Sequence, residues 1–196
     1  MIENLIALAV AREVASQKIV LDKAKKEYEA SAVASGVKYR VAFDVSSRGN
    51  VQSDFAEFEK IAHETLTDSR GWIRAGVKFE KVANGGKMHV VIASGAEIEK
   101  YAGCSAELSC TVYPYVLIND ERWRKATDSY NNANLSLDSY RQMVINHEVG
   151  HYLGHDHVTA CGVGGVAPVM LQQSTGLRGC TGNSWPLASE LLVSRW

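Results

Sequence analysis

Residues 147 to 157 read HEVGHYLGHDH and hold four of the chain's six histidines. No other stretch constrains the fold as tightly. His147 and His151 are four positions apart, so on a helix both imidazoles project from one face, one turn above the other. A helix offers two nitrogen ligands to a single metal ion in this way. Glu148 follows the first histidine, about 100° further round the axis, close enough to hold a water on that ion. The spacing is that of HExxH, in which the glutamate acts as general base beside zinc. A third ligand requires the helix to stop and the chain to return. Gly154 supplies the stop, and His157 then comes back under the metal. His155 competes for the place, but an extra position on the same helix would struggle to reach the open side of the ion. Glu190, the only glutamate after Glu148, sits in the last seven residues and is the more remote alternative.

The rest of the chain must build a platform for that helix. "SLDSYRQMVINHEVGHYLG" carries it, with Ser136 or Asp138 as cap and Gly154 as terminator. Upstream, "VKYRVAFDV", "VKFEKVA" and "KMHVVIAS" have the alternation and β-branched content of strands. "SDFAEFEKIAHETLTD" repeats Phe55, Phe58, Ile61, Ala62 and Leu66 at helical spacing, with Ser53 as N-cap. "TVYPYVLIND" is extended, and Pro114 makes it either an edge strand or a segment that breaks there. A loop rich in Asn, Ser and Asp follows Trp123, and "PLASELLVSRW" reads as a terminal helix. His63 on the first helix and His89 inside a strand are expected to be structural. Residues 1 to about 35, without proline or glycine, read as an amphipathic helix, with Lys25 and Glu29 as a weak surface pair. The acidic start of "MIENLIALAVAREV" and its early arginine do not fit a signal peptide. The fold class is α+β, a twisted mixed sheet with packed helices.

A length of 196 residues suits one domain with a real core. Net charge is −1 with acids and bases interspersed, which removes the electrostatic case for nucleic acid or an anionic membrane as main partner. No apolar run is long enough to span a bilayer, so no integral membrane segment is expected. The four cysteines fall into two local pairs by spacing, Cys104–Cys110 and Cys161–Cys180, in loop-like sequence. Disulfides there point to an oxidising, extracytoplasmic or secreted location. Closing the second loop is worth about 3 kcal/mol in the chain-entropy account.

HEVGHYLGHDH also matches HExxHxxGxxH, and with "VAPVMLQQ" downstream the sequence resembles the metzincin zinc proteases. That resemblance implies a metzincin-like fold with helices above a zinc cleft and a small irregular C-terminal subdomain bearing one terminal helix. It implies one catalytic Zn2+ held by His147, His151 and His157, and Met170 in a turn that forms the floor beneath it. The function implied is zinc-dependent hydrolysis of peptide bonds in a polypeptide substrate, with Glu148 as general base for a water on the metal. An extended substrate would lie along an edge strand within 107 to 118, and the loop 163 to 177 would wall the specificity pocket. The sequence departs from astacins and serralysins at Gln172, where those proteins place a tyrosine, so no tyrosine ligand is implied. "DSRGW", "LINDERW", "APVMLQQSTGL" and "NSWP" further resemble an uncharacterised family of exported bacterial metzincin-type domains, over residues of about 37 to 196. The organisation expected is an N-terminal helical appendage over 1–36 and a catalytic domain over 37–196, its upper part 37–157 and its lower part 158–196. Two rivals differ in chemistry: a zinc-containing peptide-binding module without catalysis, and a deformylase-like hydrolase with a cysteine ligand from the 104–110 loop.

Overall fold

The computed structural model describes residues 36–193. They make up nearly all of one compact unit, 37–196, of the two into which the chain divides. The N-terminal helix and the Lys25–Glu29 pair expected from the sequence lie outside the described residues.

Five strands form one mixed sheet in the order β2-β1-β3-β5-β4. They are β1 (Tyr39–Arg48), β2 (Val77–Lys81), β3 (Met88–Ala93), β4 (Cys110–Val112) and β5 (Tyr115–Asn119). All pairs are parallel except β4 with β5, which run antiparallel. Side chains alternate between the two faces, and the register aligns their apolar sets. Phe43 lies beside Met88, Val90 beside Val116, and Ile92 beside Ile118. These residues belong to the main core, under the helices. Val91, Ala93 and Leu117 face the other way, onto a smaller cluster with Ile98 that Tyr101 and the cysteines 104 and 110 pack against.

"TVYPYVLIND" breaks at Pro114. The Tyr113–Pro114 bond is cis, β4 becomes the sheet edge, and β5 is internal. The helix α1 (Phe55–Thr67) is capped by Asp54, whose side chain accepts from the Glu57 N–H. Ser53 was expected in that role, but its backbone N–H and hydroxyl both donate to Asp120. Asp120 opens α3 (Asp120–Lys125), which follows α2 (Gly95–Ile98), a single turn. The Asn-rich stretch after Trp123 is not all loop: Asp128–Asn132 is a short helix, α4.

The helix α5 (Leu137–Tyr152) is the spine of the molecule. Ser136 caps it by accepting from the Ser139 N–H. From Met143 to Gly150 every residue is buried, so the helix passes through the core instead of lying on it. Gly154 then turns the chain with φ +98°. Beyond it, regular structure nearly ends. A 3-10 turn at Ala188–Glu190 stands where the sequence suggested a terminal helix, and no such helix occurs among the described residues. Side chains replace the missing ladders, as buried backbone groups require. Asn183 donates to Ala167 O and Trp185 O, Gln173 donates to Pro168 O and Asn183 O, and Asn146 donates to Ser184 O.

Candidate metal centre

On α5 the imidazoles of His147 and His151 emerge one turn apart, and the chain reversal at Gly154 returns His157 to them. His157 Nε2 lies 3.2 Å from His147 Nε2 and 3.0 Å from His151 Nε2. Two nitrogens sharing one tetrahedral zinc sit about 3.3 Å apart, from bonds of about 2.0–2.1 Å. The three donors therefore have the spacing of ligands on one ion, and they form a group that could hold a metal.

The outer nitrogens fix which atom is free. His147 Nδ1 donates to Val169 O at 2.7 Å, and His151 Nδ1 donates to His155 O at 2.8 Å. A carbonyl can only accept, so both Nδ1 atoms carry the proton and both Nε2 lone pairs face the cluster. Carbonyls behind the rings orient the ligands and raise their basicity. Burial, with His151 and His157 adding, pushes the His147 imidazole down to about 3, and burial also lowers His151 and His157. The rings are thus neutral at neutral pH, the form that binds metal. Bare lone pairs turned toward one another repel without a cation between them. The donor chemistry fits a first-row ion such as zinc and not calcium or magnesium, which take oxygen.

His155 takes no part in the cluster. Its ring packs on Trp72 with centroids 4.8 Å apart, while its carbonyl serves His151. His63 and His89 also lie elsewhere: His63 stacks near Phe43, and His89 Nδ1 meets Asp44 at 2.8 Å. Neither Cys104 nor Cys110 is a free thiol, because the two form a disulfide, as do Cys161 and Cys180.

Glu148 is 4% exposed, one residue past the first histidine. Its Oε2 accepts a hydrogen bond of 2.8 Å from the Thr111 hydroxyl, which also lies 2.9 Å from the Glu148 carbonyl. Burial pushes the carboxyl up to about 8, and the Thr111 bond pulls against it. A dication at the neighbouring histidines would favour the carboxylate. Thr111 belongs to β4 and follows Cys110, so the first disulfide anchors the strand that contacts Glu148. The sequence pattern gave no sign of Thr111.

Met170 is 1% exposed beneath the helix, and a Cβ placed on Gly150 would run into its sulfur. Trp72 Cζ2 would stand 3.0 Å from a Cβ placed there. Gly150→Ala gains about 1 kcal/mol of helix propensity and incurs overpacking of about 1–3 kcal/mol. The expected net result is a lower thermal midpoint and weaker zinc retention against a competing chelator, because Met170 and Val169 must shift together.

Glu190, weighed from the sequence only as a distant ligand, holds that turn from below. Its carboxylate accepts from the backbone N–H groups of Val169, Met170 and Leu187. Val169 O is the acceptor for His147 Nδ1, so Glu190 acts on the cluster through one residue. The histidines, Glu148 and Thr111 open on a cleft of about 530 Å³ between the 103–111 segment and residues 172–175. Of the loop expected to wall it, 163 to 177, only Gln172 to Thr175 line the cleft.

Residues 16–185 match the family described as "Protein of unknown function (DUF3152)". The chain belongs to that family. The DUF3152 span includes the three histidines, Glu148, Thr111, Met170 and both disulfides, and it ends before Glu190. It also begins inside the N-terminal segment, earlier than the start near 37 expected from the sequence. No curated protein matches this DUF3152 chain. No helix among the described residues is long and apolar enough to cross a membrane.

Proposed function

We propose that the chain is a metzincin-type zinc peptidase, working outside the cytoplasm. What supports it most is the convergence of three Nε2 atoms beside a buried carboxylate on an open cleft. The two disulfides support an oxidising compartment.

A zinc ion held by His147, His151 and His157 would polarise the scissile carbonyl and lower the pKa of a water at its open position. The division of labour at Glu148 follows from its partners. Thr111 occupies Oε2, which leaves Oε1 for the reacting proton. Glu148 takes a proton from the attacking water as the water oxygen bonds to the carbonyl carbon. The same carboxyl then gives that proton to the amide nitrogen as the C–N bond breaks, leaving a carboxylic acid and an amine, and the acid's proton passing to the amine gives a carboxylate and an ammonium. The Val169 and His155 carbonyls hold the His147 and His151 imidazoles still throughout.

The direct test is to strip the chain with a chelator and restore zinc. Cleavage of a proteome-derived peptide library should vanish and return. A chain that binds zinc and cuts nothing would instead be a binding module.

Thr111→Val removes the hydroxyl and keeps the shape. One hydrogen bond to a charged group is worth about 1.5–3 kcal/mol, or about 10- to 100-fold in rate. The expected result is a fall in kcat of that size, unchanged zinc affinity, and recovery in Thr111→Ser. Equal loss in both variants would assign Thr111 a packing role only.

A further inference from the structure

The walls of the cleft carry information about what it accepts. On one side stand Ser105, Leu108 and Ser109 from the disulfide-closed loop, and on the other Gln172, Ser174 and Thr175. Among the described lining residues Leu108 is the one large aliphatic side chain, and there is no phenylalanine, tyrosine, tryptophan, lysine or arginine. Apart from Glu148, the one acid among the described lining residues is Asp156, which is exposed.

We infer that the cleft takes the interior of an extended polypeptide whose side chains next to the scissile bond are small and uncharged: glycine, alanine, serine, threonine or asparagine. The inference rests on the peptidase reading and adds the substrate class to it. A bulky apolar side chain recovers burial energy only against apolar walls, at about 25 cal/mol per Å². Here it would strip water from hydroxyls and amides without pairing them, which costs more than it returns. Apart from Glu148, which the reacting proton engages, a charged side chain meets no opposite charge shielded from water among the described lining residues. Small polar groups can exchange hydrogen bonds with Ser105, Ser109, Gln172 and Thr175 instead.

Recognition of a chain end needs a buried counter-charge. Among the described lining residues a terminal carboxylate finds no lysine or arginine, Glu148 is engaged by the reacting proton, and Asp156, being exposed, is screened as a partner for a terminal amine. Main-chain pairing is the interaction left. β4 is the sheet edge, and its Cys110 and Thr111 line the cleft, so a strand laid there can bond to its outer side.

Two measurements test this on the zinc-loaded chain. In the first, cut sites in a proteome-derived peptide library are sequenced. The expected result is severalfold enrichment of small uncharged residues on both sides of the cut, and equal cleavage of peptides with blocked and free termini. Enrichment of Leu, Phe, Lys or Arg, or a need for a free terminus, overturns the inference and leaves the peptidase reading standing. No cleavage at all overturns both. The second measurement needs no turnover: zinc-loaded Glu148→Ala is titrated with capped peptides differing only in a central Ser-Thr or Leu-Phe pair. Tighter binding of the Ser-Thr peptide is expected, and tighter binding of the Leu-Phe peptide overturns the inference. Ser105→Arg, on the exposed rim, should shift cutting toward acidic neighbours; an unchanged preference would place the side-chain subsites away from this loop and overturn it.

Discussion

The chain carrying Glu148→Ala is expected to bind one zinc per molecule as the unaltered chain does, and to lose peptide hydrolysis by about 10²- to 10⁴-fold, the usual contribution of a general base. The carboxylate is no ligand in this arrangement: the three converging atoms are all imidazole nitrogens. Its removal leaves the Val169 and His155 carbonyls behind the rings untouched. The fold should survive as well. Glu148 is buried, and the burial that raises its pKa is a cost that alanine does not carry. The Thr111 hydroxyl keeps the Glu148 main-chain carbonyl as acceptor at 2.9 Å. Zinc content, thermal midpoint and cleavage rate measured on one preparation separate the possibilities. Loss of zinc would make Glu148 a structural element, and undiminished cleavage would remove it from the chemistry.

His157→Ala is expected to abolish tight zinc binding, whereas His155→Ala should weaken it modestly. The two residues are two positions apart in sequence, yet the chain reversal gives them different surroundings. His157 Nε2 stands 3.0 and 3.2 Å from the other two donors. Without it, two nitrogens on one helix face remain, too few for a stable site. The His155 ring touches Trp72, and its contribution to the cluster comes from its main-chain oxygen, which alanine retains. Loss of a hydrogen-bond partner behind a ligand costs about 10- to 100-fold in metal affinity; His155→Ala keeps that partner and should cost less, and loss of a ligand should exceed it. Competition against a chelator of known affinity measures both. If the His155 variant alone releases zinc, the cluster of ligands is wrongly composed.

Much of this architecture was legible because it depends on periodicity. β1, β3 and α1 follow from apolar spacing, α5 from its cap, its terminating glycine and the histidine spacing, and the gathering of His147, His151 and His157 from a helical repeat plus one glycine. What escaped was set by partners distant in sequence. Ser53 and Asp54 are both good caps, and the choice between them is made by Asp120, which engages Ser53 from 67 residues away. Glu190 binds backbone N–H groups, which every residue has, so no motif announces it. "PLASELLVSRW" has the composition of a helix, but among the described residues only the turn Ala188–Glu190 forms, with Glu190 drawn inward onto the Val169 and Met170 N–H groups. The quoted segments around the site proved to be braces. Trp72 in "DSRGW" donates to Asn146 O, Asn119 in "LINDERW" caps α3, and Asn183 in "NSWP" ties the lower part together. Thr111 was hidden for a simpler reason: a threonine on a strand is ordinary, and its meaning lies in what it faces.

All of this depends on three imidazoles and no sulfur meeting at one ion. X-ray absorption at the zinc edge, on the chain loaded with one equivalent of zinc, reads that shell directly. The expected spectrum has three imidazole nitrogens and one oxygen at about 2.0–2.1 Å. A scatterer at about 2.3 Å, the distance of a thiolate ligand, or a shell with fewer than three imidazoles, would contradict it.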